Sequence, residues 1–351
     1  MLKTIEYGEI EGNYVLVDVR SPGEFCEATI KGAINIPIFD DEERKIIGTV
    51  YTRESVEKAK RIGLEVATEK LLRIYDEIKE LEKRYDKIVI FCARGGMRSG
   101  VLGMLLGSLG VNIEKIKDGY KGYRRFVIEN LPQFNDKVQY IVIHGNTGVG
   151  KTEILKQLEG HGFDVLDLEG FANHRGSLLG TVGLGKSTSQ KQFDSKIYDM
   201  LREAKGSFVF IEAESKRIGN ITIPDFIYKK MKKGIHIFVD ADIDFRTDLI
   251  IKEYTKHENC NQEIIECLKR FQKYIGEKNV NRYSQLVLKS EYHEVVSELM
   301  IKHYDPMYNH SSDNYNYELK IQVIDIITAT KEIENWVKAI INNKYSLENR
   351  N

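Results

Sequence analysis

Short apolar runs and longer amphipathic segments alternate along the first half of the chain. Apolar runs at residues 14–19 and 88–92 each end at a polar or reactive residue, which predicts buried parallel strands. The long, charged and periodic segment 54–84 predicts a helix, and leucines and valines at helical spacing predict another at 99–109. A strand, a glycine-bearing loop and a helix in this order are typical of an α/β active site.

A second α/β series follows a break in the periodicity around Pro132. The pattern predicts strands at 138–144, 165–168, 208–212 and 236–239 and a helix at 151–158. Beyond Asp242 the chain is mostly helical and charged, with a polar tail at 342–351. We therefore predict two α/β domains, at 1–134 and 135–351, the second with a helical C-terminal region.

Length and composition agree with two ordinary globular domains. At 351 residues the chain exceeds the ~250–300 residues beyond which a single core rarely grows. Hydrophobic residues make up 42% and charged residues 30%, as in many globular proteins. No apolar run reaches the ~18 residues of a membrane helix, and the N-terminus lacks an apolar signal region. We expect a cytoplasmic protein without a membrane partner.

The charge balance gives no general attraction for a polyanion. There are 52 basic and 53 acidic residues, for a net charge of −1, so an RNA partner would need local basic patches. One such cluster comprises Lys229, Lys230, Lys232 and Lys233, with Tyr228 beside it. It could contact phosphates while tyrosines stack on bases, or simply form a solvated helix end that favours the helix dipole.

Four cysteines stand at positions 26, 92, 260 and 267, and none forms a Cys-x-x-Cys pair. Neither a zinc ribbon nor a redox dithiol is therefore indicated. In a reducing compartment all four would be free thiols. Only Cys92 has neighbours that suggest chemistry.

Cys92 is predicted to lie at the end of a strand, just before a helix. At this position backbone N–H groups and the positive end of the helix dipole favour an anion. Such surroundings lower a cysteine pKa from ~8.5 toward ~3.5–7.5. Gly95 and Gly96 permit a tight cradle, and Arg94 and Arg98 add donors for oxyanions. We predict a nucleophilic thiolate; the alternative is an ordinary buried cysteine.

The residues around this loop resemble the rhodanese family. The segment 18–25, with Asp18 and Arg20, and the segment 30–37 match that family's opening strand and following turn. The resemblance implies that Cys92 carries a chalcogen, with Asp18 and Arg20 supporting the site. Five residues separate Cys92 from Arg98, a spacing shared with cysteine phosphatases, so a phosphatase remains a rival. No aspartate is evident as its general acid.

A phosphate-binding loop follows the predicted strand at 138–144 and precedes the helix at 151–158. It satisfies G-x-x-x-x-G-K-[ST], and this context is the one the motif requires. Lys151 would neutralise a diphosphate, and Thr152 could ligate Mg²⁺ if a metal is used. Glu212, with Glu214 as second choice, is the candidate Walker B-like acid at the end of a strand; the alternative is a glutamate that caps a loop. Alone, the motif suggests ATP or GTP. Its residues are Gly145, Asn146, Thr147, Gly148, Val149, Gly150, Lys151 and Thr152.

Together, the two halves resemble the tRNA 2-selenouridine synthase family along nearly the whole chain. The resemblance rests on segments 41–51, 92–99, 119–124, 167–176 and 212–220. It implies a rhodanese-like domain followed by a P-loop NTPase-like α/β domain. Its second-domain candidate site residues are His174, Arg175, Glu212, Glu214 and Arg217. Two departures are Ala93, typically Trp in the family, and Asp118, usually Gly.

The resemblance implies an enzyme acting on tRNAs with 2-thiouridine at the wobble position. The family attaches a geranyl group from geranyl diphosphate to the sulfur, then replaces that sulfur with selenium from selenophosphate. Cys92 would hold selenium as a selanylsulfide, and the P-loop would hold a diphosphate. An ATP-dependent tRNA sulfurtransferase and a cysteine phosphatase fused to an NTPase remain alternatives. Intact Cys92, Lys151 and Thr152 argue against an inactive scaffold.

Overall fold

The structure is a computed structural model that describes residues 2–177, 179–306 and 315–348, with side chains as far as residue 342. The chain divides into two compact units, the first running to Leu131 and including Asp194–Asp199, the second comprising the remainder. The predicted domain boundary at 134/135 falls close to this division, within the helix Gly119–Lys137.

The first unit is built on a five-stranded sheet whose strand pairs are all parallel. The strand order is β1-β5-β4-β2-β3. Buried valines and isoleucines such as Val17, Ile88 and Ile90 fill its core, as expected for strands covered on both faces. The strands are β1 (Lys3–Ile5), β2 (Tyr14–Asp18), β3 (Ile34–Asn35), β4 (Lys87–Phe91) and β5 (Ile113–Ile116).

Helices connect the strands of the first unit. A 3-10 turn, Tyr7–Glu9, follows β1. Serine or aspartate N-caps begin the next three helices: Ser21, Asp40 and Ser55 each accept a backbone N–H from the first turn. The helices are α1 (Pro22–Glu27), α2 (Asp41–Arg53), α3 (Val56–Glu82), α4 (Met97–Ser108) and α5 (Gly119–Lys137).

The second unit contains another five-stranded parallel sheet, in the order β12-β11-β6-β8-β7, and a short antiparallel hairpin, β9-β10. Residues Ile141, Ile143, Phe210 and Val239 form part of its buried core. The strands are β6 (Gln139–His144), β7 (Asp164–Leu166), β8 (Phe208–Glu212), β9 (Arg217–Ile218), β10 (Ile221–Thr222), β11 (Ile235–Asp240) and β12 (Tyr317–Gln322).

Helices dominate the second unit after β11, and a separate apolar cluster that includes Ile264, Leu268 and Tyr283 holds them together. A π-helical segment, Met300–Tyr304, continues directly from one of them. The remaining helices of the chain are α6 (Lys151–Gly160), α7 (Leu168–Ala172), α8 (Gln190–Glu203), α9 (Asp225–Met231), α10 (Ile243–Tyr254), α11 (Cys260–Arg270), α12 (Gln272–Ile275), α13 (Glu277–Leu288), α14 (Tyr292–Leu299) and α15 (Ile326–Glu348). The middle of α8, Asp194–Asp199, belongs to the first unit.

The structure confirms the predicted α/β class and corrects several local predictions. The break expected around Pro132 coincides with the division between the two units, but it does not end a helix, because α5 continues through it. Burial of Tyr123, Val127 and Leu131 at helical spacing outweighs the single backbone bond that proline cannot make. The sequence pattern also missed α2 and β12, and the tail expected at 342–351 is helical as far as residue 348.

None of the helices in the described ranges combines the length and the apolar composition needed to cross a membrane.

Candidate functional site

Cys92 directly follows β4 and is buried. The Ser99 hydroxyl donates a hydrogen bond to the Cys92 Sγ at 3.2 Å. Burial raises the pKa of the thiol, but the hydrogen bonds from Ser99, the charge of Arg98 and the Arg94 backbone N–H together bring the pKa below its ordinary value. The sequence prediction of a cysteine in an anion-favouring loop therefore agrees with the geometry. Ser99 lies in segment 92–99, but the sequence alone assigns it no role.

The cysteine loop rests against the turn that begins α5. Gly95 has a φ of +59°, and a Cβ there would lie 2.8 Å from the backbone nitrogen of Gly119. Gly119 has a φ of +57°, and its Cβ would lie 2.1 Å from the carbonyl oxygen of Cys92. That same carbonyl accepts the Tyr120 N–H at 2.8 Å. Gly96 is the N-cap of α4. The loop shape therefore depends on glycine in both segments.

Arg98 is paired with a carboxylate of its own unit. Its guanidinium donates to both oxygens of Glu24, at 2.7 and 3.3 Å. Burial opposes ionisation of Glu24, yet the Arg98 guanidinium and the nearby Arg44 hold its pKa below the usual value. Arg94 is exposed. The sequence predicted both arginines as oxyanion donors; the structure adds Glu24 as the resting partner of one of them.

Asp18 and Arg20 form a buried pair that braces the site. Arg20 donates to Asp18 at 2.6–3.1 Å and to the Ala28 carbonyl at 2.6 Å, and the Thr29 hydroxyl donates to Asp18. The Arg20 guanidinium also lies 4.2 Å from the centroid of the Tyr120 ring. The Tyr120 N–H in turn donates to the Cys92 carbonyl. The Asp18–Arg20 pair therefore supports the cysteine loop through Tyr120.

The phosphate loop lies between β6 and α6, as predicted. Lys151 Nζ donates to the carbonyl oxygens of Gly145 and Asn146, at 2.8 and 3.3 Å. The buried Arg246 donates from Nε to the Thr147 carbonyl at 2.9 Å. Carbonyl groups of the loop are thus held by cations, which leaves its N–H groups as donors for a phosphate.

A cavity of about 310 Å³ opens at this loop. The predicted residues His174, Arg175 and Glu214 line it together with the loop. Arg217 is exposed in β9 and is not part of this lining. Residues of the loop and of segment 167–176 that line the cavity are Thr147, Gly148, Gly150, Lys151, Thr152, Asp167, Glu169, Gly170, Asn173, His174 and Arg175.

Three glutamates converge beside the cavity. Carboxylate oxygens of Glu169, Glu212 and Glu214 all lie within 4.8 Å of one another. Burial and the charge of Glu214 raise the pKa of Glu169 to about 9, and burial and Glu212 raise that of Glu214 to about 8. Burial and Glu169 also raise the pKa of Glu212. The Lys151 charge opposes all three shifts.

Glu212 is fully buried, and one of its oxygens accepts the Glu169 N–H at 3.0 Å. Its other oxygen has no hydrogen-bond partner among the described residues. Glu169 was missed as a site residue by the sequence reasoning. The sequence signal was partial: Glu169 directly follows the strand predicted at 165–168, but only the structure shows that β7 and β8 are parallel neighbours whose carboxyl ends meet at one sheet edge, where ligands bind.

Arg175 and His174 contact different surroundings. Arg175 donates from Nε to Glu253 at 2.7 Å, and its guanidinium lies 4.7 Å from the centroid of the Tyr254 ring. Burial, with the Arg175 charge, lowers the pKa of His174, so the imidazole is neutral near pH 7. A Cβ at Gly219 would lie 2.7 Å from the His174 ring, so segment 212–220 shapes the space for this side chain.

The four lysines proposed to contact RNA are not equivalent. Lys230 Nζ donates to the carbonyl of Asn135 at 2.6 Å, and burial lowers its pKa. Lys232 Nζ lies 4.7 Å from the centroid of the Tyr228 ring. Those that stay exposed are Lys229, Lys232 and Lys233.

Comparison with known proteins identifies the family to which both domains are similar. The family model described as "tRNA 2-selenouridine synthase AAA domain" matches residues 138–343, and a "Rhodanese-like domain" model matches residues 7–126. The chain belongs to the tRNA 2-selenouridine synthase family. Both halves of the predicted domain architecture, rhodanese-like and then P-loop, are thereby confirmed.

Curated members of the family align over different shares of their length. The tRNA 2-selenouridine synthase of Nitrosomonas eutropha is 32% identical over 68% of this chain and 62% of its own, so the chain spans less than two thirds of that relative. The synthase of Hydrogenovibrio crunogenus is 29% identical over 85% of this chain and 89% of its own. The synthase of Pseudomonas putida strain F1 is 26% identical over 92% of this chain and 93% of its own.

The departure from the family pattern at Asp118 has a simple structural account. Its φ is +56°, a left-handed conformation that the usual glycine adopts freely and that aspartate tolerates better than most residues. The side chain accepts from Arg125 at 2.9 Å. The turn against the cysteine loop is therefore kept. At Ala93 the carbonyl accepts the Lys121 N–H, a bond that any residue type could make.

Proposed function

We propose that this protein converts 2-thiouridine at the wobble position of tRNA to 2-selenouridine. The observation that carries the proposal is the cavity at the phosphate loop, bounded by residues of the family segment 167–176 and by Glu214 of segment 212–220. It occurs in a chain that also holds a thiol of lowered pKa in a rhodanese loop. Relatives named tRNA 2-selenouridine synthase support the substrate assignment.

In the proposed first step the thiocarbonyl sulfur attacks the first carbon of geranyl diphosphate. A carbon–sulfur bond forms, the carbon–oxygen bond to diphosphate breaks, and the base loses its N3 proton. The phosphate-loop N–H groups and Lys151 stabilise the departing diphosphate. The N3 proton passes to solvent, because the raised pKa values of Glu169 and Glu214 keep the glutamate cluster beside the cavity largely protonated near pH 7 unless a cation binds.

The same cluster fits a divalent cation. Three carboxylates, one with an unpartnered buried oxygen, form the hard oxygen-donor set that Mg²⁺ prefers. Glu169, Glu212 and Glu214 would hold the ion, with the Thr152 hydroxyl at the start of α6 as a further donor. A bound Mg²⁺ would supply positive charge to neutralise the diphosphate.

In the proposed second step the Cys92 thiolate attacks C2 of the base, and the carbon–sulfur bond to the alkylated sulfur breaks. The selenium of selenophosphate then displaces Cys92 from C2, and hydrolysis of the selenium–phosphorus bond releases phosphate and leaves 2-selenouridine. A selanylsulfide on Cys92 would instead require an oxidant, because the selenium of selenophosphate is at the selenide level. Alkylation converts a thiolate-like sulfur into a better leaving group, which departs as geranyl thiol. Backbone N–H groups of the loop, with Arg94 and Arg98, are suited to the phosphate of the donor. The tRNA would be held through local basic patches such as Lys229, Lys232 and Lys233.

The test is the mass of the wobble nucleoside after thiolated tRNA is incubated with each donor. Geranyl diphosphate alone should give S-geranyl-2-thiouridine, and both donors together should give 2-selenouridine. Cys92→Ser should abolish only the second product, while Cys26→Ser, at an exposed cysteine, should change neither. Sulfur insertion that requires ATP and ignores geranyl diphosphate would instead support a sulfurtransferase.

A further inference from the structure

A second, smaller cavity adjoins the one at the phosphate loop. Its volume is about 20 Å³, and its lining is mostly apolar. Thr147, Ile250 and Tyr254 line both cavities, so the two are neighbours across these three side chains. A ligand whose phosphates lie on the loop therefore has an apolar recess directly beside it.

Part of the recess wall is formed by a π-helical segment. Met300 and Tyr304 line the recess and belong to the π-helical segment Met300–Tyr304. Leu299, at the end of α14, lines it too. π-Helical turns are uncommon and frequently mark functional sites. Methionine is also the apolar side chain best able to adjust to a ligand, because it is unbranched and flexible.

A partly buried ion pair connects this wall to the phosphate loop. Arg246, which holds the Thr147 carbonyl, donates through its two terminal nitrogens to Asp305 at 3.0 and 2.6 Å. Asp305 directly follows the π-helical segment. The phosphate loop and the wall of the recess are thus held in a fixed relation through one arginine.

We propose that the recess receives the end of the hydrocarbon chain of a diphosphate ester, and that Val296, Leu299 and Met300 set the chain length accepted. This inference rests on the proposed function, since it assigns the apolar half of the same substrate. At about 20 Å³ the recess holds only a chain terminus. The rest of the chain would run along Ile250 and Tyr254 in the larger cavity. A nucleotide has no comparable apolar end.

The test compares transfer of five-, ten- and fifteen-carbon prenyl diphosphates to thiolated tRNA. Met300→Ala enlarges the recess, so the kcat/KM ratio of the fifteen-carbon to the ten-carbon donor should rise about tenfold or more. Val296→Phe fills it, so the ratio of the five-carbon to the ten-carbon donor should rise. Val295→Ala is the matched control, because Val295 is buried in the same cluster on the same helix but does not line the recess.

Equal changes for all three donors, or the same selectivity change in Val295→Ala, would overturn the inference while leaving the proposed function intact. A wild-type protein that transfers no prenyl group would contradict the proposed function instead. Binding then tests the recess separately. Geranyl diphosphate should raise the unfolding temperature more than inorganic diphosphate does, and Val296→Phe should remove that difference. Equal shifts in the wild-type protein would also overturn the inference.

Discussion

The Ser99 hydroxyl, in the first turn of α4, donates to the Cys92 sulfur at 3.2 Å. Burial by itself would keep this thiol protonated, so the ionised form depends on a few specific donors, and Ser99 supplies both a side-chain and a backbone contact. The reactivity of the cysteine is consequently a property of the helix start as well as of the arginines around it.

Replacing Ser99 by Ala should raise the pKa of Cys92. Loss of the hydroxyl removes a donor to the thiolate, so alkylation of Cys92 should slow at pH 7 and its pH midpoint should move upward. Site-resolved mass spectrometry after iodoacetamide pulses at several pH values measures this. Ser108→Ala, on the same helix with its hydroxyl bonded to the Met104 carbonyl, should leave the midpoint unchanged. An identical profile for Ser99→Ala would refute the assignment.

Replacing Lys151 by Ala should weaken diphosphate binding by about one to two decades. The lost charge-assisted contact is worth ~1.5–3 kcal/mol, and the loop also loses the cation that holds two of its carbonyls. Geranyl transfer should fall, while selenation of pre-geranylated tRNA should persist. Lys252→Ala, an exposed lysine of α10, is the control. Equal loss of both steps would show that Lys151 maintains the fold or binds RNA.

The glutamate cluster predicts an unusual dependence of stability on pH. Folded-state pKa values of about 9 for Glu169 and about 8 for Glu214 exceed the ordinary 4.5, so the folded protein binds more protons than the unfolded one between about pH 4.5 and 9. Their contribution to stability is therefore complete below about pH 4.5 and is lost as pH rises through that window.

Glu212→Gln removes one of the three charges and should flatten this decline in unfolding temperature between pH 6 and 9. In the wild-type protein MgCl₂ should restore stability at pH 9, because a cation relieves carboxylate repulsion; Glu212→Gln should respond less. Glu258→Gln, at a glutamate outside the cluster, should behave as wild type. A wild-type curve that rises across this range would contradict the cluster's protonation.

The fold was largely predictable because its main signals are local. Buried strands such as β8 are continuous apolar runs, and the phosphate loop carries its own motif between a strand and a helix. Less predictable were elements stabilised by distant contacts. Strand β12 alternates exposed and partly buried residues and exists through pairing with β11, and α5 tolerates Pro132 because its buried face packs well.

Site residues divide in the same way. Cys92, Lys151 and Thr152 follow from motifs, but the roles of Glu24 and Glu169 depend on which chain segments meet in space. The opposite case is Lys230. The sequence places it in the basic cluster predicted to contact RNA, but in the structure its ammonium group donates to the Asn135 carbonyl. Sequence gives the chemistry of each side chain, and tertiary contacts decide which of these groups are available to a ligand.

Replacing Lys229, Lys232 and Lys233 by Gln should weaken tRNA binding and flatten its salt dependence. Each lost phosphate contact should lower the slope of log affinity against log salt by roughly 0.7 to 0.9, because fewer counterions are released. Filter binding at several salt concentrations measures the slope. Lys230→Gln should instead lower the unfolding temperature, since it removes an internal bond. Unchanged affinity and slope in the triple variant would place the RNA path elsewhere.

The pairing of Arg98 with Glu24 changes how an anion would enter the cysteine loop. The guanidinium is already neutralised, so an incoming phosphate group must exchange with a resident carboxylate instead of meeting a bare cation. Such exchange favours ligands that carry more than one negative charge, since a monoanion gains little over the partner it displaces. We therefore expect the loop to bind chloride and small carboxylates weakly and multiply charged anions more strongly.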